Sequence, residues 1–195
     1  VCSSDLYVET QNLLDELPNE HQKLVGEVVP NQISVGGIQR ILQNLLNERV
    51  SIRDLPTILE GISEACAFTR NVTQLTEHVR SRLSRQISEQ NSTEDNFIPL
   101  VTLSAEWEQI FSDSILDQGE DKQLSMAPSQ LQRFIGAVRT TLDELADIED
   151  PPVVLTSPLA RPFVRSIIER FRPATSIMSQ NELHPKAKIK TLGQI

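Results

Sequence analysis

Aromatic residues are scarce, at 4% of the 195-residue sequence. A core built with so few rings must rely on leucine, isoleucine and valine, which pack as aliphatic ridges between helices. Cysteine is limited to Cys2 and Cys66. Two thiols so far apart make neither a disulfide framework nor a zinc site; a reducing cytosol fits, with Cys66 as a small buried apolar residue. No apolar run approaches the roughly 20 residues that span a bilayer. Cations are in the minority, 18 Lys and Arg against 27 Asp and Glu, for a formal net charge of −9. Nucleic-acid binders rely on cations that displace counterions from phosphate, and anionic membranes recruit the same side chains. Both partner classes are disfavoured.

Catalytic patterns are missing as well. His21, His78 and His184 each stand alone, with no second His at i+3 or i+4, so the zinc-binding helix pattern is absent. No nucleophile elbow, phosphate loop or dinucleotide turn occurs. Gly36-Gly37 precedes a helix, but no Lys or Arg adjoins it to support an anion site. Cys66 and His78 could meet as a nucleophile pair only through the fold, and the apolar stripe around Cys66 favours a buried structural thiol. We therefore expect no catalytic residue, no metal and no cofactor.

What is present is a hydrophobic fraction of 38%, enough for a packed core. The first half has helical periodicity. Apolar residues recur from Leu13 to Val28, interrupted by Pro18, which predicts two short helices or a kink. Ser34 is a plausible N-cap for a helix whose Ile38, Ile41, Leu42, Leu45 and Leu46 form one stripe. Asp54 is a good N-cap for the next, with Pro56 in its first turn and Ile58, Leu59, Ile62 and Cys66 on its buried face. Another helix starts near Asn71, with Val72, Leu75, Val79, Leu83 and Ile87 aligned. Arg53-Asp54 is a notable charged pair: Asp54 caps a helix, while Arg53 either reaches Glu60 or Glu48 locally, the favoured reading, or anchors a neighbouring subunit.

The polar stretch 90–96 marks a subdomain boundary. Beyond it, Phe97 to Leu103 reads as a strand, placed at a sheet edge by Pro99. Ser104 caps a helix through about Leu116, residues 117–122 form a polar loop, and Pro128 opens a helix carrying Phe134, Val138 and Leu142. Strands follow at 152–156 and 175–179, separated by a helix, and a possible edge strand closes the chain after His184. The fold class is α+β: an all-helical subdomain over 7–92, then a small α/β subdomain over 93–195 in the order β-α-α-β-α-β-β. Residues 1–6, Val1-Cys2-Ser3-Ser4-Asp5-Leu6, read as a foreign leader and are set aside, so the natural protein is expected to extend upstream. Residues 94–150 carry 13 acids against 3 bases, and residues 151–195 carry 2 against 7. Such opposed balances serve internal pairing or a bipolar surface for partners.

The segment Ile41-Leu42-Gln43-Asn44-Leu45-Leu46-Asn47-Glu48-Arg49-Val50-Ser51-Ile52-Arg53-Asp54-Leu55-Pro56-Thr57-Ile58-Leu59-Glu60 resembles the signature of the FlhA family, the flagella/HR/invasion-protein export pore family. Leu75 to Ile87, the Leu-Ala-Arg-Pro element at 159–162 and the closing residues 189–195 agree with it. The tail from His184 to Lys190 looks more like flagellar members than injectisome ones. The resemblance implies a non-catalytic component of the flagellar type III export apparatus, the full protein lying in the bacterial inner membrane with this part facing the cytoplasm. It implies a nonameric ring that docks export chaperones, flagellar substrate proteins and other export-gate components, contacting the membrane only through an N-terminal region that precedes this segment. Signature residues Gln43, Asn44, Leu45, Leu46, Ile52, Arg53, Asp54 and Glu60 are then structural or subunit-interface residues. The alternatives are an injectisome homologue, a small α/β enzyme, which would need a convergent polar cluster, and a helical adaptor unrelated to export.

Overall fold

Pro18 divides the first periodic run in two, as its missing N–H requires. Helix α1 (Ser3–Asp15) stops before it, and α2 (Asn19–Val28) starts after it. The Gln22 side chain donates to the carbonyls of Leu14 (3.1 Å) and Leu17 (2.8 Å), satisfying acceptors that the end of α1 leaves open. The computed structural model describes residues 3–119 and 121–195. Of the hexapeptide set aside above, Val1 and Cys2 lie outside the described residues, while Ser3 to Leu6 belong to α1.

Helix α3 (Val35–Asn47) has the predicted cap, with Gly37 N–H donating to Ser34 Oγ at 3.2 Å. Ile38, Ile41, Leu42 and Leu45 are all buried. Leu46 is not: it is 52% exposed, which corrects its place in the stripe. At about 100° per residue it lies some 80° round from Ile38, beyond the face that the other four share. The helix ends in a left-handed residue, Arg49 (φ 61°). Val50 N–H returns to Leu45 O and Arg49 N–H to Leu46 O, both at 2.9 Å, the Schellman arrangement. Helix α4 (Leu55–Ala65) is capped by Asp54, whose Oδ1 accepts from Thr57 N–H at 3.3 Å. Helix α5 (Val72–Arg82) packs against α4 at Gly61, where an added Cβ would lie 3.3 Å from Arg82 Cγ and 3.4 Å from Val79 Cα.

The helix expected to run through Ile87 is broken. Leu83 leaves helical geometry (φ −90°, ψ 16°), and α6 (Ser84–Gln90) starts anew. The chain divides here into two units, the first ending at Leu83 and the second beginning at Ser84. Helix α6 goes with the second unit because Ser88 Oγ donates to Glu182 O (2.9 Å) and accepts from His184 N–H (2.9 Å).

The second unit is built on a parallel sheet, β1 (Phe97–Thr102), β4 (Val153–Thr156), β5 (Ile177–Ser179) and β6 (Lys188–Gln194), ordered β5-β4-β1-β6. Strand β1 is therefore central, which corrects the edge position inferred from Pro99. Pairing with β4 begins only at Leu100, so Pro99 faces β6 alone and its missing N–H interrupts no ladder with β4. Helices α7 (Ala105–Ser114), α8 (Pro128–Glu144) and α9 (Arg161–Ile168) supply Trp107, Phe111, Phe134, Val138 and Val164 to a core shared with Val101, Val154 and Ile177. Ile98, Leu100, Val153 and Met178 are buried too. Both faces of the inner strands are thus covered, which explains their continuous apolar runs.

The polar loop expected at 117–122 is a hairpin, β2 (Ile115–Gln118) paired antiparallel with β3 (Asp121–Leu124). Glu120 lies outside the described residues. Gly119 takes φ +71°, the conformation that a two-residue hairpin connection requires. Its strand residues are largely exposed and polar, so no burial pattern marked it in advance.

Candidate functional site

The signature segment runs from the last turns of α3, across an extended connection, into α4. Its eight singled-out residues separate by what their side chains touch. Leu45 is fully buried in the helical core. Asn44 Nδ2 donates to Thr76 Oγ1 on α5 at 3.3 Å, and Thr76 Oγ1 donates in turn to Val72 O. Asp54 is spent on the cap of α4. Glu60 lies 3.5 Å from Arg82. Each of these four is engaged by a contact within the unit.

Arg53 departs from the expected local role. Neither proposed partner takes it: Glu48 pairs with the buried Arg80 at 3.4 Å, and Glu60 with Arg82. Helix α5 supplies both cations, so the nearby carboxylates are already engaged. Arg53 is exposed, and among the described residues no carboxylate pairs with its guanidinium. Leu46 is exposed on the preceding helix, while Gln43 and Ile52 are half-buried. The connection between α3 and α4 thus presents an apolar side chain at one end and an unneutralised cation at the other.

His78 and Cys66 are committed elsewhere. His78 Nε2 lies 3.0 Å from Glu64 Oε2, and its ring meets Phe68 edge-on. Cys66 is buried with its Sγ directed at Gln32 O, 3.9 Å away. The two residues that could have formed a nucleophile pair are each turned to other groups. Among the described residues no group of three metal-ligating side chains converges, and no helix is long and apolar enough to cross a membrane.

One buried cluster had escaped the sequence reading. Arg161, fully buried at the start of α9, donates from Nε to Glu182 Oε2 at 3.0 Å. The same carboxylate oxygen accepts from Ser179 N–H at 2.6 Å, closing a capping box on the short 3-10 helix Gln180–Glu182. The Ser-x-x-Glu spacing at 179–182 was the available signal. Arg161 is the arginine of the Leu-Ala-Arg-Pro element, so that element ties α9 to the end of β5.

The fold recurs in solved structures, among them the EscV cytosolic domain from the type III secretion system. The chain superposes on the Chlamydia pneumoniae CdsV protein with a TM-score of 0.89 at 30% identity, covering 97% of this chain and 54% of that one. It superposes on the nonameric EPEC SctV-C structure with a TM-score of 0.85 at 28% identity, covering 97% and 56%. Residues 6–188 match the FHIPEP family, and the chain belongs to that family. Its curated relatives include the flagellar biosynthesis protein FlhA of Caulobacter vibrioides, 52% identical over 97% of this chain and 27% of the relative. The Bacillus subtilis protein of the same name is 33% identical over 96% of this chain and 28% of the relative. The chain spans about a quarter of the length of these relatives.

Proposed function

We propose that this chain is a polypeptide-binding and ring-building module of a flagellar type III export apparatus, held at the inner membrane by other parts of its protein and facing the cytoplasm. Its work is docking, with no reaction catalysed on its own side chains. The observation that carries this reading is the fold match across 97% of the chain to the nonameric EPEC SctV-C, joined to 52% identity with a flagellar biosynthesis protein FlhA. A second nonameric ring, the EscV cytosolic domain, and a complex of CdsV with CdsO belong to the same structural neighbourhood. They support two kinds of partner: further copies of the chain, and other export components. Export chaperones with their flagellar substrates are the third. The exposed Leu46 and Arg53 are the residues we assign to contact between copies.

The test is a chimera. This chain replaces the matching quarter of the Caulobacter vibrioides relative, and flagellin export and swimming are measured in cells lacking the native gene. Export is expected from the chimera and is expected to fall with Leu46→Ser/Arg53→Glu at unchanged protein level. A chimera that accumulates at normal level yet exports nothing refutes the proposal.

A further inference from the structure

The outer edge of β6 and the groove at its start form a surface that the preceding reading does not use. Among the described residues strand β6 pairs with β1 alone, so along Lys188 to Gln194 alternate backbone N–H and C=O groups face away from the sheet. At its N-terminal end lies a groove of about 440 Å³, lined on one side by Arg85 and Glu89 of α6 and on the other by His184, Lys186 and Lys188. Among the described residues its one lining carboxylate, Glu89, is already taken by Arg85 at 2.9 Å. Lys186 and Lys188 are exposed, and among the described residues no carboxylate lies within ion-pair distance of either ammonium. Ile189, 54% exposed, is the next residue along the strand. The wall of the groove is held in place, since buried Ser88 bonds both Glu182 O and His184 N–H.

We propose that this edge accepts an extended, acidic polypeptide segment of a partner protein, which adds as a further strand beside β6 and sets its carboxylates against Lys186 and Lys188. Main-chain pairing to an open edge supplies affinity that is indifferent to sequence. The unneutralised cations then select for acidic residues, and Ile189 offers an apolar contact on the opposite face of the added strand. The competing explanation is protective: lysines on an edge strand keep it from pairing with other chains. A compact anion such as phosphate is the other candidate, but the cations are spread along the groove and strand rather than gathered on one point.

The probe is a fluorescein-labelled decapeptide of alternating glutamate and valine, titrated with the 195-residue chain by anisotropy at low salt. Binding is expected, together with slowed amide exchange confined to β6. Lys186→Glu/Lys188→Glu should weaken it about ten-fold, the product of two reversed exposed charges. Replacing all five valines by proline, which strips the donors from alternate positions and so from one edge of the strand, should abolish it. The proposal is overturned if the parent peptide does not bind, or if the proline peptide or a glutamine-for-glutamate peptide binds equally well. Displacement of the peptide by millimolar inorganic phosphate also overturns it, in favour of a compact anion site. None of these outcomes bears on the export reading, which the chimera tests separately.

Discussion

Arg161 and Glu182 let the energetics of the second unit be tested quantitatively. Their side chains are 0% and 1% exposed and meet at 3.0 Å. Two charges removed from water recover their desolvation cost only through each other and through added hydrogen bonds. Replacing Arg161 by methionine, close in volume, therefore strands a buried carboxylate. Removing one member of a buried pair costs about 3–5 kcal/mol, against a total of about 5–15 kcal/mol for a domain, so roughly a fifth or more of the unit's stability should disappear. The double variant Arg161→Met/Glu182→Gln removes both charges and keeps an oxygen for Ser179 N–H, which the carboxylate now serves at 2.6 Å. It should be more stable than Arg161→Met alone. The singles should then fail to add by about 2 kcal/mol, well beyond the ~0.5 kcal/mol scatter of independent sites. Trp107 is the single tryptophan of the sequence, 5% exposed and 5.1 Å from the Phe134 ring, so its fluorescence in urea follows this unit specifically. That restriction matters, because a chain of two units need not unfold in one step. An Arg161→Met cost below about 1 kcal/mol, or additive singles, would refute the reasoning.

Three further outcomes are expected. Leu45→Ala empties a fully buried site in the helical unit and should cost about 2–5 kcal/mol, read by far-UV circular dichroism in denaturant. Gly61→Val places branched carbon where Arg82 Cγ and Val79 Cα already stand 3.3–3.4 Å from a Cβ; overpacking should cost about 1–3 kcal/mol, measured the same way. Leu46→Ser and Arg53→Glu should each leave stability within about 0.5 kcal/mol of the parent, as exposed substitutions do, while weakening self-association in sedimentation velocity.

The parts of the fold that could be read in advance are those where one face meets a core. Ile38, Ile41, Leu42 and Leu45 repeat at helical spacing because burial selects a single face, and the caps at Ser34, Asp54 and Ser104 are local chemistry. The misreadings arose where a neighbour distant in sequence decides. Pro99 sits in a central strand because β4 starts one register position later. The hairpin at 115–124 closes on its own turn and ladder, with few buried residues to mark it. The break at Leu83 interrupts an apolar spacing that stays regular through it, since Leu83 and Ile87 are both buried. Arg161 and Glu182 are 21 residues apart, and nothing at either position alone announces a buried pair.

The candidate site follows the same logic in reverse. A family signature gathers residues kept for different physical reasons, and spacing cannot tell them apart. Leu45, Asn44, Asp54 and Glu60 are each accounted for by a contact within the chain. Subtracting them leaves Gln43 and Ile52, both half-buried, and the exposed Leu46 and Arg53, whose environment inside this chain explains neither. A lone exposed leucine is ordinary on a protein surface, and an exposed arginine more so. Their weight comes from sitting at the two ends of one short connection in the segment that carries the family resemblance, where Glu48 and Glu60, the carboxylates able to neutralise Arg53 locally, are held by α5. If a partner copy supplies the missing carboxylate, Arg53→Lys should keep most of the association and Arg53→Glu should lose it. Equal loss in both would mean that the guanidinium is read for its planar shape rather than its charge.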